Sequence, residues 1–438
     1  MRAGPQRAGS VDTNDRRPKA GQIPMIRSTI LSVADQVLLS ALNFGLAILL
    51  IHFASKPQYG LYAQLVNLQS FFSPFHAGIF ASAYLALASG MSGVRRLTYQ
   101  TAMARAEVVM STLSAVLVVA VSAIAAKLFW PALTPGICLA FSVALLGLWW
   151  REFVRQMKFA ALRYDRALAI DATYILVVAV CAGAALATSG VTTTAVFWCM
   201  AAGGIVSAVP SLLSAIRASP VDRSIIRQEV RASWNIGRWE VLGSVVTWTY
   251  AQSYVYFAAL HGGLDAAAEI SAGRLLATPL ALLWPSYANV LRPTSSRLLA
   301  SGSMEEIRRL AARSALFVVA GSVLYGIVIL AAIPLLDRWL FGGKFLHLHI
   351  LALWWVAYFM MTGISTVASS ILRSALQFRE VLNRQILSSI AAVILLTIGL
   401  RLEAIESLVI ALVLVETFCA ALFWHRLNGA VPMSLKSV

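Results

Sequence analysis

The sequence predicts an all-α polytopic membrane protein with about twelve transmembrane helices, and three observations lead to this prediction. Of the 438 residues, 59% are hydrophobic and 12% are charged, with a mean hydropathy of +0.77. A soluble domain of this length does not have such a composition. Long apolar runs recur along the chain, and most of the 35 Lys and Arg residues fall in every second loop between them.

The predicted spans are set by length, because a hydrocarbon core of roughly 30 Å needs about 20 apolar residues per helical crossing. The runs that meet this requirement lie at 30–53, 60–89, 101–126, 133–150, 169–188, 194–216, 237–260, 270–292, 314–336, 349–372, 384–400 and 404–424.

The basic residues predict an orientation for these spans. They cluster in the two tails and in the loops after every even-numbered span, and such loops stay on the cytoplasmic side. Both termini are therefore predicted to be cytoplasmic. The net charge of +16 is spread over short loops, which predicts anionic membrane lipids as partners and excludes nucleic acid as an expected partner.

The chain divides into two predicted bundles of six helices. The predicted parts are a disordered cytoplasmic tail, an N-terminal bundle, a basic cytoplasmic linker, a C-terminal bundle and a second tail, at 1–27, 28–216, 217–236, 237–426 and 427–438. Within the linker, apolar residues such as Ile226 and Val230 alternate with Arg223, Arg227 and Arg231. This pattern fits either an amphipathic helix on the inner membrane surface or a solvated basic linker.

An internal repeat supports the division into halves. Ala161-Leu162-Arg163-Tyr164 with Leu168 has the pattern Ala-Leu-x-aromatic-x-x-x-Leu, and the same pattern returns about half a chain later in Ala375-Leu376-Gln377-Phe378 with Leu382. Both copies follow the fourth span of their half. Two tandem halves of equal orientation would place a site between them.

The sequence contains no pattern typical of an enzyme. No Gly-rich phosphate loop precedes a Lys, no nucleophile elbow is present, and the loops are too short for a folded catalytic domain. The 4 cysteines lie inside predicted spans without a CxxC spacing. No catalytic residue, cofactor, metal site or disulfide is therefore predicted.

Three stretches resemble a known transporter family. The first is LLSALNFGLAILLIHFASKPQYGLYAQL, from Leu38 to Leu65, with Asn43 in the first span and Tyr59-Gly60-Leu61-Tyr62-Ala63 opening the second. The others are Pro334-Leu335-Leu336 before Trp339-Leu340-Phe341-Gly342, and Leu372-Arg373 before Leu376 and Phe378. Together they resemble the polysaccharide transporter branch of the multidrug, oligosaccharidyl-lipid and polysaccharide (MOP) exporter superfamily, which includes the Wzx-type O-antigen flippases.

This resemblance implies a MOP/MATE-like V shape, in which two six-helix bundles enclose a cavity that opens alternately to each side. It also implies transport of a polyprenyl-pyrophosphate-linked oligosaccharide across the bacterial inner membrane for surface polysaccharide biosynthesis, with polysaccharide polymerase and export machinery as partners. A pyrophosphate and sugar hydroxyls cannot cross hydrocarbon unaided, because each unsatisfied polar group costs several kcal/mol. Arg is the expected phosphate ligand, since its planar fork donates paired hydrogen bonds.

Polar residues inside the spans are the candidates for lining that cavity. Arg274 in the eighth span leads, with Thr278 and Asn289 following at helical spacing. The alternative for Arg274 is that it extends to the outer surface or pairs with Glu269 or Asp265.

The other candidate cavity residues share helix faces in the remaining spans. Glu240, Ser244 and Thr247 share one face of the seventh span, although Glu240 also fits an interfacial pair with Arg238. The remaining candidates are Gln36 and Asn43 in the first span, His76 after Pro74 in the second, and Arg373 at the end of a hydroxyl-rich stripe, Thr362, Ser365 and Ser369, in the tenth. His76 also fits a packing role, and the stripe also fits helix packing.

Two acids inside the predicted spans are candidates for ion coupling. Asp35 lies about one turn inside the first span, and Glu416 lies near the middle of the last span without an evident sequence partner. Carboxylates in such positions are typical of proton or sodium coupling, although Asp35 also fits a position at the inner headgroup level.

Two other functions remain open from the sequence. A cation-coupled drug antiporter of the same superfamily would have a cavity dominated by carboxylates and aromatic residues. A membrane-embedded glycan polymerase would need acids such as Asp265, Glu269, Asp337, Glu403 and Glu406 to converge on one outer pocket.

Overall fold

The computed structural model describes residues 25–88, 91–128, 132–188, 190–301, 303–375 and 377–429. Helices fill nearly all of this part of the chain. They are α1 (Met25–Phe53), α2 (Lys56–His76), α3 (Ala83–Ala88), α4 (Gly93–Leu128), α5 (Pro135–Ala160), α6 (Tyr164–Thr188), α7 (Thr193–Ile216), α8 (Arg223–Ala251), α9 (Tyr254–Ala300), α10 (Met304–Leu336), α11 (Leu348–Ser374), α12 (Phe378–Gly399) and α13 (Glu406–Asn428). Wider π-helical turns at Ala77–Ser82 and Asp337–Phe341 join α2 to α3 and extend α10.

Each predicted span corresponds to helical structure. In the described residues, 10 helical segments are long and apolar enough to cross a membrane. One of them, Val241–Ala288, covers most of both the seventh and the eighth predicted spans, which are separated by a turn at Gly262 and Gly263, where Gly263 has a φ of +70°. The second predicted span, α2 to α3, is absent from those segments because polar residues such as Gln64, Asn67 and Gln69 interrupt its apolar pattern.

The structure changes the predicted course of the linker and of the seventh span. The predicted linker 217–236 is helical from Arg223 onward, and α8 continues through position 237 without a break. The helix instead ends at Ala251, within the predicted span 237–260, and α9 begins after Gln252 and Ser253. Most of both predicted tails, 1–27 and 427–438, lies outside the described residues.

The helices pack as two lobes. In the N-terminal lobe, α5 packs along α7, with α4 and α6 beside them, around buried rings that include Phe141 and Phe197. In the C-terminal lobe, α11 packs between α9, α10 and α13, and its Trp355 is fully buried. Outward-facing positions of α4 and α10 expose aliphatic side chains such as Leu117 and Leu324, as expected for helices in contact with lipid.

The lobes meet at the outer end, which we define as the end of the bundle where α1 ends and α2 begins. A Cβ at Gly60 of α2 would collide with the Leu264 carbonyl of α9, so glycine permits this close approach. The Lys56 ammonium lies 2.5 Å from a Glu269 carboxylate oxygen across the same contact. Lys344 also donates hydrogen bonds to the carbonyl oxygens of Ile51, His52 and Ala54, at the C-terminus of α1.

A second close contact lies at the opposite end, which we call the inner end. There α8 packs on the π-helical turn after α2, and a Cβ at Gly237 would collide with the Gly78 carbonyl. The Arg95 guanidinium of α4 lies 2.5 Å from Glu229 of α8, and the Tyr99 hydroxyl lies 3.0 Å from the Ser233 hydroxyl. Contacts therefore join α8 or α9 to the N-terminal lobe at both ends of the bundle.

Candidate substrate cavity

A cavity of about 330 Å³, the central cavity, lies between the two lobes. Helices α1, α2 and α7 form one wall, and α9 and α11 form the other. Its polar lining consists of Asn43, Tyr59, Tyr62, Asn67, Gln69, Tyr254, Ser271, Arg274 and Thr278. Two of the predicted candidates, Arg274 and Thr278, line one wall, and Asn43 lines the other.

Arg274 provides the positive charge of the central cavity. The Gly262–Gly263 turn starts the second part of α9 at the outer end, and Arg274 follows about 15 Å along that helix. Its Nη1 donates hydrogen bonds to Gln252 Oε1 (2.7 Å) and to the Tyr254 hydroxyl (3.0 Å). The guanidinium also lies 5.3 Å from the Tyr254 ring centroid and 5.5 Å from that of Trp355. Within the described residues these partners are neutral, so no carboxylate cancels the charge.

The acid expected to pair with Arg274 has another partner. Glu269 binds Lys56, and its oxygens also accept hydrogen bonds from the backbone N–H groups of Leu346 (3.1 Å) and His347 (3.4 Å). Asp265 is exposed near the start of that part of α9. The alternative of an Arg274–Glu269 or Arg274–Asp265 pair is therefore wrong. Both acids lie one to three turns closer to the outer end on α9, and Glu269 pairs with Lys56 of α2 instead.

A second cavity of about 420 Å³ lies between α2, α8, α11 and α12. It is lined by Ser70, Pro74, Gly243, Ser244, Thr247, Trp248, Ala251, Gln252, Arg373 and Gln385. Three predicted residues, Ser244, Thr247 and Arg373, meet here. Gln252 lines this cavity and also accepts the hydrogen bond from Arg274, so the two cavities adjoin.

Four predicted cavity residues lie elsewhere or cannot be placed. Gln36 is exposed on α1 and lines neither cavity. His76 lines a separate cavity within the N-terminal lobe, where its ring stacks on Trp149 at 3.8 Å between ring centroids. Glu240 and Asn289 lie in helices α8 and α9, but their side chains lie outside the described part of the structure.

The N-terminal lobe contains a charge network that sequence reasoning missed. Asp171 of α6 is fully buried and lies 3.2 Å from Arg151 and 3.3 Å from Arg155. Arg155 also lies 3.8 Å from Asp35 of α1 and 2.9 Å from Glu152. The Asp171 contacts are charge pairs without hydrogen-bond alignment.

The predicted fourth span ends at position 150, which places both arginines of this network in the following cytoplasmic loop. In the structure α5 continues to Ala160, which brings both guanidinium groups into the helical core. The signal that could have found the network was Asp171 itself, an acid inside the predicted span 169–188.

The two acids proposed for ion coupling have different surroundings. Asp35 belongs to the charge network through Arg155. Glu416 of α13 is buried and accepts a hydrogen bond from the Ser365 hydroxyl (3.1 Å), and no described cation lies within ion-pair distance of it. Ser365 comes from the hydroxyl stripe of α11 that the sequence singled out. In the described residues, no group of three or more potential metal-ligating side chains occurs.

Comparison with solved structures shows the fold. The chain is similar to the lipid II flippase MurJ in an inward closed conformation, with a TM-score of 0.70 and 12% identity over 91% of this chain and 87% of that one. It is similar to a multidrug resistance MATE family transporter of the MOP superfamily in an inward-facing conformation, with a TM-score of 0.65 and 12% identity over 90% and 96%. A MOP superfamily transporter from Pyrococcus furiosus gives a TM-score of 0.56 and 10% identity over 92% and 91%.

No protein-family model and no curated protein sequence matches the chain. The structural likeness therefore stands on backbone geometry, since identities near 10% carry no information about substrate. The predicted fold class is confirmed. This chain is a multi-pass helical membrane protein with the two-lobe fold of the MOP superfamily transporters.

Proposed function

We propose that this chain is a flippase that moves a polyprenyl-pyrophosphate-linked glycan repeat unit across the bacterial inner membrane by alternating access, for surface polysaccharide biosynthesis. The observation that supports this proposal is Arg274, whose guanidinium lies in the central cavity among neutral hydrogen-bond partners. A cation in that setting is available to a phosphate, because no described carboxylate competes for it.

The charge of both cavities favours an anionic substrate over a cationic drug. The described lining of the central and second cavities contains Arg274 and Arg373 and no Asp or Glu. A cation antiporter is expected to present carboxylates there, since an ammonium group needs a counter-charge away from water. The amide and hydroxyl groups beside Arg274, such as Asn67 and Ser271, suit the hydroxyls of a sugar.

The acids that a glycan polymerase would require do not line the cavities between the lobes. Glu269 pairs with Lys56, while Asp265, Asp337, Glu403 and Glu406 line neither the central cavity nor the second cavity. Because the solved structures of similar fold are described as a flippase and a transporter, we propose no enzymatic activity for this chain.

Alternating access is supported by the contacts at the two ends of the bundle. At the outer end the contact between lobes includes the close approach at Gly60, one ion pair, three hydrogen bonds from Lys344 and packed side chains such as Tyr59 against Phe345. Such a packed surface between two helical bundles can separate without unfolding either lobe. A cavity of about 330 Å³ accommodates a pyrophosphate or one sugar, so loading of a whole repeat unit requires the lobes to move apart.

Of the two candidate acids, we assign ion coupling to Glu416 and a structural role to Asp35. Glu416 is buried without a described cation, so a proton or a monovalent cation must neutralise it. Asp35 already has Arg155 nearby. The proposed orientation places both termini in the cytoplasm, following the positive charge of the even-numbered loops.

The test uses vesicles containing the purified chain and a fluorescent polyprenyl-pyrophosphate disaccharide, with flipping followed by quenching from outside. Arg274→Ala is expected to lower the flipping rate by about 10- to 100-fold, since a hydrogen bond to a charged group contributes about 1.5–3 kcal/mol. Arg274→Lys should restore part of the rate, because it keeps the charge without the planar fork.

The matched control is Arg338→Ala, which removes an exposed arginine near the outer end that lines neither cavity. It should leave the rate within about twofold of wild type. Wild-type flipping by Arg274→Ala, or transport of a cationic dye by the wild-type chain without any flipping of the glycolipid, contradicts the proposal.

A further inference from the structure

An arginine-lined groove at the inner end belongs to neither cavity between the lobes. This arginine groove has a volume of about 620 Å³ and runs between α4 and α8. Its residues are Arg105, Ala106, Val109 and Met110 of α4 and Arg223, Ile226, Arg227, Val230, Arg231 and Trp234 of α8. It therefore combines four guanidinium groups with an apolar floor.

The four arginines are arranged around one site. Arg223, Arg227 and Arg231 repeat every fourth residue, which places them on one face of α8, and all three are exposed. Arg105 faces them from α4 and is held in place by donating to the backbone carbonyls of Ile216 (3.3 Å) and Val221 (2.9 Å).

Among the described residues, no carboxylate forms an ion pair with the arginines of the groove. Glu229 is the acid within α8 nearest in sequence to these arginines, and it is already paired with Arg95 at 2.5 Å. In the described part of the chain, none of the four groove arginines forms an ion pair. Four like charges held together repel one another, so an anion bound between them would be strongly stabilised.

The floor of the groove leads into an apolar slot. A neighbouring cavity of about 360 Å³ shares Met110 and Trp234 with the groove and continues between α4 and α2, along side chains such as Phe72, Phe75 and Leu117. Trp234 is 42% exposed and Met110 is 39% exposed, so both are accessible at the junction. A charged rim joined to a narrow apolar slot matches a molecule with an anionic head and a hydrocarbon chain.

We infer that the arginine groove binds an anionic glycerophospholipid of the adjacent leaflet, with its phosphate among the four arginines and one acyl chain in the apolar slot. A nucleic acid or a phosphopeptide would match the rim but would leave the apolar slot unfilled. The groove and the central cavity share no residue, so this lipid is distinct from the transported substrate.

Binding there has a structural consequence for α8. The groove spans α4 and α8, the same two helices that Arg95–Glu229 and Tyr99–Ser233 hold together at the inner end. A lipid phosphate shared between Arg105 and the α8 arginines adds a further link across this contact. Anionic lipid should therefore stabilise the arrangement in which the inner half of α8 lies against the N-terminal lobe.

The test measures lipid binding to the purified full chain by native mass spectrometry, with dioleoyl phosphatidylglycerol and dioleoyl phosphatidylcholine as probes. The variant is the triple substitution R223Q/R227Q/R231Q, and the matched control is R163Q/R166Q/R313Q, which removes three exposed arginines outside the groove. The groove variant should bind phosphatidylglycerol at least about tenfold more weakly, while the control should stay within about twofold of wild type. Phosphatidylcholine binding should not change.

Three results overturn the inference. One is an equal loss of phosphatidylglycerol binding in both triple variants, which indicates a general effect of net charge. Another is wild-type binding by the groove variant when its thermal midpoint matches that of wild type. The third is complete displacement of phosphatidylglycerol by millimolar glycerol 1-phosphate, which would mean that the slot recognises no acyl chain. Trp234→Ala should weaken phosphatidylglycerol binding by about threefold if the chain enters the slot.

Discussion

The interior of the N-terminal lobe and the central cavity both contain arginine at membrane depth, but they use it differently. Arg151 and Arg155 lie within 3.2–3.3 Å of Asp171, and Arg155 also contacts Glu152. Arg274 has a glutamine, a tyrosine hydroxyl and aromatic rings as partners. The first group forms a charge network within the lobe, whereas the second leaves a positive charge available between the lobes.

This difference separates structural charges from functional ones. A buried charge that is neutralised by its own lobe holds α1, α5 and α6 together and has little capacity left for a ligand. A charge that is solvated by neutral dipoles and rings has a positive potential that an incoming phosphate can use. Burial and residue type alone do not distinguish the two cases, since both involve arginine inside a helical span.

The largest expected effect is on stability, from Asp171→Asn. The substitution leaves Arg151 and Arg155 buried without their shared carboxylate, which should lower the free energy of unfolding by about 3–5 kcal/mol. Unfolding by SDS in mixed micelles measures this change. Arg274→Met is the matched comparison, because its hydrogen-bond partners are neutral and no buried charge is left unpaired. It should lower the free energy of unfolding by less, about 1–2 kcal/mol. Equal destabilisation by both substitutions would show that the two arginine sites do not differ in how their charge is neutralised.

The next effect concerns ion coupling at Glu416. Glu416→Gln keeps the shape and the contact with Ser365 but removes the ionisable group. One proton moving across 100 mV provides about 2.3 kcal/mol, so the variant should lose up to about 50-fold of gradient-driven accumulation. Substrate exchange across the membrane in the absence of a proton gradient should persist in this variant. Transport assays in vesicles with and without an imposed pH gradient distinguish accumulation from exchange. Asp35→Asn is the control variant, because we assign Asp35 a structural role. Wild-type dependence of transport on the pH gradient in Glu416→Gln would show that Glu416 is not the coupling site.

The smallest effect is expected at the outer end, where Lys56 and Glu269 join α2 to α9. Lys56→Met should favour separation of this end by about 1 kcal/mol, roughly fivefold in population. The effect is modest because Lys56 is partly exposed and the buried Glu269 keeps its hydrogen bonds from the backbone of Leu346 and His347. A cysteine at Ser271 in a background without the four native cysteines reports access to the central cavity. Its labelling by a membrane-impermeant maleimide from the outer side should become about fivefold faster. Unchanged labelling would show that Lys344 and the Gly60 contact suffice to hold this end closed.

The sequence by itself determined the helical, membrane-spanning character of the chain, since a bilayer admits only segments of a certain length and polarity. The same patterns singled out Arg274 and Glu416, because an ionisable residue inside an apolar run is conspicuous. The π-helical turns and the early end of α8 left no comparable signal, since neither alters average hydropathy.

Only the tertiary structure decided which charges are neutralised. Asp35, Arg155 and Asp171 come from three different helices, and Lys56 and Glu269 come from two lobes, so their pairing depends on helix rotation and crossing. A hydropathy window averages over these directions, and it therefore assigned Arg151 and Arg155 to a loop. Coulomb energy depends on distance in space, and for residues on separate helices the chain fixes that distance only through packing.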